Sequence, residues 1–124
     1  MAKKIMVIDD ASSIRQVVSH VLKTEGYETQ EAVDGEDALS KLDGREIDLF
    51  VCDVNMPNMD GIEFLKNVKN NEKYSSYKFT PIIMLTTEAG EDMKAQGKEA
   101  GAKAWLVKPF QPDQLVESVK KLLI

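Results

Sequence analysis

The chain has one cysteine in 124 residues, no apolar run long enough to span a membrane and no excess of basic charge. Cys52 alone cannot form an internal bridge, and its place in an apolar run reads as a buried structural thiol. A chain of 124 residues matches the commonest domain size. It would bury roughly 65–70% of its unfolded surface, enough to fold without a disulfide or a structural metal. The net charge of −5 argues against nucleic acid as a partner, since contact with a phosphate backbone normally needs a basic face. The opening MAKKIMVIDD sets a basic flank before only four apolar residues and two acids, too short for a signal peptide or a membrane span. A cytoplasmic protein with no membrane association is the expectation. A Walker-type loop is missing too, as is the Gly- and Thr-rich phosphate loop that a flavodoxin would carry after its first strand.

Four short apolar runs, each halted by a polar residue, are the informative feature. KIMVI runs into Asp9-Asp10, DLFVC into Asp53, PIIML into Thr86-Thr87 and AWLV into Lys108-Pro109. A parallel strand buried on both faces looks like this where it reaches the sheet edge. In open α/β sheets the ligand site lies beyond the carboxyl ends of the strands. Three carboxylates, a hydroxyl and an ammonium would then meet in one small region, a set suited to a divalent cation and a phosphoryl group.

Between these runs the pattern alternates. Ile14, Val17, Val18, Val21 and Leu22 recur at helical spacing, and Gly26 is placed to end that helix. Residues 29–33 read as a weaker strand. Asp34-Gly35 makes a turn before a short helix marked by Ala38, Leu39 and Leu42 and ended by Gly44. The third strand covers residues 49–52; a loop at 57–60 precedes a helix lined by Ile62, Leu65 and Val68. Residues 70–80 show no period and read as a loop. A fourth helix at about 91–100 is apolar-poor and contains Gly97, which costs roughly 1 kcal/mol relative to Ala. After a fifth strand at 104–107, Pro112 fits the first position of a last helix with Leu115, Val116, Val119, Leu122 and Leu123 inward. Five strands alternating with five helices predict one α/β domain, a doubly wound parallel sheet, over residues 1–124. No linker, repeat or attached output domain is expected.

Hard divalent cations take oxygen ligands, and Asp9, Asp10 and Asp53 would supply them. Bringing three carboxylates together is costly without a cation. Each residue also has a plainer reading. Asp9-Asp10 could make a turn and cap the first helix, where Ser12 and Ser13 also qualify; Thr86 could cap the segment after it; Lys108 could be a solvated lysine. Packing alone gives no reason for complementary charges at four strand ends at once.

The matching stretches Val7-Ile8-Asp9-Asp10, Ala32-Val33-Asp34-Gly35 with Ala38-Leu39, Asp53-Val54-Asn55-Met56-Pro57-Asn58-Met59-Asp60-Gly61, Pro81 to Thr86, and Lys108-Pro109-Phe110 span the chain. Together they resemble a response-regulator receiver domain, of the stand-alone CheY-like chemotaxis type. The resemblance implies a (βα)5 flavodoxin-like fold with strand order 2-1-3-4-5, which the chemotaxis member itself exemplifies.

It also implies roles. Asp53 would be the phosphoacceptor, taking a phosphoryl group from a histidine kinase. Asp10, Asp53 and the backbone carbonyl of Asn55 would bind Mg²⁺, and Asp9 would act through a water. Lys108 would pair with Asp53 and then with the phosphoryl oxygens, across a cis Lys108-Pro109 bond. Thr86 would sense the phosphoryl group, and Trp105 would turn inward in response. Trp stands where the family more often has Tyr or Phe, so a fixed, partly buried indole is the competing reading. Thr87 stands where a smaller residue is usual. Asn55 and Glu88 would tune the lifetime of the phosphorylated state. The lone His20 falls off the apolar face of its helix, so no donor histidine for a relay is expected within the chain.

The implied function is a phosphorylation switch whose partner-binding face is built from the fourth helix, fifth strand and last helix. The expected partners are a histidine kinase, a flagellar motor switch protein and a phosphatase, with the protein itself a monomer. The alternative is a relay intermediate that hands the phosphoryl group to a histidine phosphotransfer protein. An enzyme of the haloacid-dehalogenase type also uses a strand-end Asp, but would want a second Asp where Asn55 stands.

Overall fold

The computed structural model describes residues 2–87 and 90–123. Five parallel strands form one sheet in the order β2-β1-β3-β4-β5, with β1 at Lys4–Ile8, β2 at Glu28–Ala32, β3 at Leu49–Asp53, β4 at Ile82–Thr86 and β5 at Ala104–Val107. The helices between them are α1 at Ser12–Thr24, α2 at Gly35–Ser40, α3 at Gly61–Asn70, α4 at Glu91–Ala100 and α5 at Pro112–Leu122. The doubly wound parallel sheet is the one the sequence pattern predicted, and its strand order is the one the receiver-domain resemblance implied.

Two-residue alternation along each central strand divides the core in two. Ile5, Val7, Leu49, Val51, Ile83 and Leu85 pack with Val18, Leu22, Leu115 and Val119 of α1 and α5. Met6, Ile8, Phe50, Cys52, Ile82 and Met84 face the other way, against Ala38, Phe64, Leu65 and Val68 of α2 and α3. Helix cover on both faces is why β1, β3 and β4 are continuous apolar runs rather than alternating ones. Cys52 is fully buried, and burial, with the Asp53 carboxylate second, pushes its thiol well above its ordinary value. Chain reversals fall where expected: Gly26 follows α1 with φ 92°, and its N–H bonds the Lys23 carbonyl.

Four local expectations need correction. Residues 72–77 form a short 3₁₀ helix, not an open loop, because Tyr74 and Tyr77 are buried there. The Tyr77 hydroxyl donates to the Arg45 carbonyl at 2.7 Å and accepts from the Gly44 N–H at 3.0 Å. Val17 is 51% exposed, so the inward stripe of α1 is narrower than the periodicity implied. Helix α2 stops at Ser40, leaving buried Leu42 outside it. Strand β5 is only partly buried along its length, because it is a sheet edge paired with β4 alone.

Candidate functional site

The strand order reverses between β1 and β3, and their carboxyl ends carry Asp9 and Asp53. This crevice at the switch point is where ligands bind in open α/β sheets. Pairing of Ile8 with Cys52 and of Asp53 with Leu85 sets the strand ends level, and Thr86 follows one residue further along β4. Carboxylate oxygens of Asp9, Asp10 and Asp53 lie within 4.8 Å of one another. Asp9 and Asp53 are buried and Asp10 is exposed.

Lys108 reaches into this group from the end of β5. Its Nζ lies 2.8 Å from Asp9 Oδ2 and 3.5 Å from Asp53 Oδ1. The expected partner was Asp53, but the tighter contact is to Asp9. The other oxygen of Asp9, Oδ1, accepts the Ala11 N–H at 2.9 Å. Asp9 thus makes the turn of the plainer reading, but neither it nor Asp10, Ser12 or Ser13 caps α1, whose N-cap Ala11 has no side-chain cap bond. The Lys108-Pro109 bond is cis, as the motif implied. Burial, and after it the charge of Asp9, raises the Asp53 carboxyl above its ordinary value, with Lys108 and the Asn55 N–H pulling the other way. A bound cation would remove this mutual repulsion, so the donor set fits a hard, oxygen-seeking ion. Both oxygens of Asp9 are engaged, one by the Ala11 N–H and one by Lys108.

Two residues to which the sequence reading gave no role support this geometry. Arg15, largely buried on α1, donates from Nη1 to the Asp9 carbonyl at 2.7 Å and from Nε to Glu31 Oε1 at 3.2 Å. It fastens the β1–α1 connection to β2, a role that nothing in the local sequence pattern signals. Gly61 opens α3 directly over β3. A Cβ there would overlap the Asp53 carbonyl and come within 2.7 Å of Met84 Cε, so glycine is what lets the helix start against the strand end. Asp60 caps that helix by accepting the Glu63 N–H at 2.8 Å.

Thr86 is fully buried. Its carbonyl accepts the Lys108 N–H at 2.7 Å, so the hydroxyl-bearing and ammonium-bearing strand ends are fastened together. Trp105 pairs with Met84 and Val107 with Thr86, which puts Thr86 and Trp105 on the same face of the sheet. The half-buried indole rests on Gly97 of α4: a Cβ there would overlap Cζ3 and lie 2.9 Å from Cε3. Gly97, a weakness by helix propensity, is the notch that admits the ring. Asn55 and Thr87 are exposed, and His20 is on the surface. Glu88 lies outside the described residues.

Comparison with known proteins agrees with this geometry. The family model of the response regulator receiver domain matches residues 5–120. Chemotaxis protein CheY-3 of Vibrio cholerae is 38% identical over 120 residues, covering 96% of this chain and 90% of that protein. Protein PilG of Pseudomonas aeruginosa is 38% identical over 117 residues, covering 94% of this chain and 84% of that protein. The solved structure of chemotaxis protein CheY4 of Vibrio cholerae superposes with a TM-score of 0.91 at 47% identity, covering 99% of this chain and 100% of that one.

Proposed function

The chain belongs to the response regulator receiver domain family of two-component signalling, and we propose that it is a phosphorylation switch in chemotaxis control with Asp53 as the phosphoacceptor. The observation that carries this reading is Lys108 poised between two buried carboxylates, 2.8 Å from Asp9 and 3.5 Å from Asp53. Mg²⁺ would be held by Asp10, Asp53 and the Asn55 carbonyl, and when bound would neutralise charge on the phosphoryl oxygens. A carboxylate oxygen of Asp53 forms the new P–O bond as the kinase phosphohistidine's P–N bond breaks, and the imidazole leaves. Lys108, free to swing from Asp9, meets the added negative charge. Thr86 then bonds a phosphoryl oxygen, and its shift opens room for Trp105 to leave the Gly97 notch. Asn55, exposed beside Asp53, would border the path of the water that later hydrolyses the phosphate.

The output face is the one formed by α4, β5 and α5. Its α4–β5 groove, of about 150 Å³, is floored by Trp105 and Ala102 and rimmed by Lys94, Lys98 and Lys103, which suits a partner segment carrying negative charge. We place the action in the cytoplasm, with a flagellar motor switch protein as the output partner; among the described residues no helix is long and apolar enough to cross a membrane. The test is binding to a motor switch protein with and without beryllofluoride, a phosphoryl mimic. Tighter binding of the loaded form supports the reading. Transfer of phosphate from Asp53 to a histidine phosphotransfer protein, with no motor binding, would instead make the chain a relay intermediate.

A further inference from the structure

The Asp34-Gly35 turn lies outside the acidic crevice, yet it touches the loop that carries the site. Asp34 Oδ1 accepts the Asp37 N–H at 2.8 Å and caps α2, while Asp34 Oδ2 accepts from Asn58 Nδ2 at 3.0 Å. Asn58 belongs to the β3–α3 loop and has φ 68°, a left-handed conformation that side-chain-bearing residues seldom adopt. Glycine would suit that backbone better, but could not reach Asp34. Next to it, Met59 sits on the first residue of α2: a Cβ at Gly35 would lie 2.9 Å from Met59 Cγ and 3.0 Å from the Met59 carbonyl oxygen. The loop is thus seated on α2 by a hydrogen bond and by backbone contact.

The inner end of the loop is fixed separately, by the Gly61 N–H on the Val54 carbonyl at 2.8 Å. Between the two anchors lies Asn55, whose N–H reaches Asp53 Oδ1 only at 3.4 Å, near the limit for such a bond. We propose that Asp34 and Asn58 form a latch that holds this loop in the shape that receives the cation, so that metal affinity beside Asp53 is set partly from the start of α2. The inference rests on the cation-dependent switch proposed above. Asp34 and Asn58 are positioning residues: they touch neither the ion nor the phosphoryl group, but reduce the ordering that binding would otherwise require.

The test is calorimetric titration of the unphosphorylated protein with Mg²⁺, alongside thermal melting without the ion. Asn58→Gly suits the left-handed backbone while removing the hydrogen bond to Asp34. Asp34→Ser keeps a capping oxygen for α2 but loses the one that holds Asn58. Each should raise the Mg²⁺ Kd about three- to tenfold, the range for loss of one ordinary hydrogen bond at an exposed position. Asn58→Gly should have no further effect once Asp34→Ser is present; independent, multiplying effects would show that Asp34 acts through its charge alone and would overturn the latch. A lowered melting temperature with wild-type Kd would also overturn it, leaving the pair a purely structural contact. Wild-type protein that binds no Mg²⁺ would remove the proposed function, whereas wild-type binding with unchanged variants would remove the latch alone.

Discussion

Lys108 Nζ is closer to Asp9, at 2.8 Å, than to Asp53, at 3.5 Å. The ammonium rests on Asp9 rather than on the proposed acceptor, which leaves Asp53 the less neutralised of the two buried acids.

Lys108→Met should leave Asp9 buried without its cation. Removing one partner of a buried pair costs about 3 kcal/mol, and we expect a loss of that order in urea unfolding without divalent cation. Saturating Mg²⁺ should restore much of it. A change below about 1 kcal/mol would mean that the pair is effectively solvated.

Asp53→Asn should stabilise the cation-free protein at neutral pH. The folded carboxyl sits above its ordinary value of 3.8, so Asp53 holds its proton more tightly folded than unfolded. Stability from this group is complete below the unfolded value and lost as pH rises through the folded one. At neutral pH its ionised form opposes folding. Melting curves should show the variant above wild type at pH 7 and the gap closing below about pH 4. Mg²⁺ should raise the wild-type melting temperature more than the variant's. A variant melting at or below wild type at pH 7 would contradict this.

Gly97→Ala should destabilise the protein although Ala is the better helix former by about 1 kcal/mol. The new Cβ meets the Trp105 ring, and overpacking costs about 1–3 kcal/mol. Trp105 is the only tryptophan, so its emission should shift, and Trp105→Phe should relieve the clash. In the wild type, beryllofluoride with Mg²⁺ should also shift the emission and weaken iodide quenching, less so in Thr86→Ala. Unchanged emission with the mimic bound would make the indole a fixed packing residue.

What could be read in the sequence follows from how each feature is encoded. Strands β1, β3 and β4 are buried on both faces, so each prints an unbroken apolar run with a polar stop, and the stops name the site. Tyr74 and Tyr77 gave no signal, because two aromatics one 3₁₀ turn apart make no period. Gly97 was misjudged as a weakness because its reason is the ring of Trp105, eight residues away on another element. Arg15 and Asn58 act through bonds to Asp9 and Asp34, which only the folded chain brings near. Lys108 meets the carboxylates at the strand ends, but its preference for Asp9 depends on the Ala11 N–H fixing that carboxylate.

The most direct measurement is phosphorylation by a small acyl phosphate donor, with the modified residue mapped by mass spectrometry after borohydride reduction. The account predicts a single label on Asp53 that requires Mg²⁺ and is lost in Asp53→Asn. Undiminished labelling of Asp53→Asn, or labelling of wild type that is indifferent to removal of Mg²⁺, would contradict it.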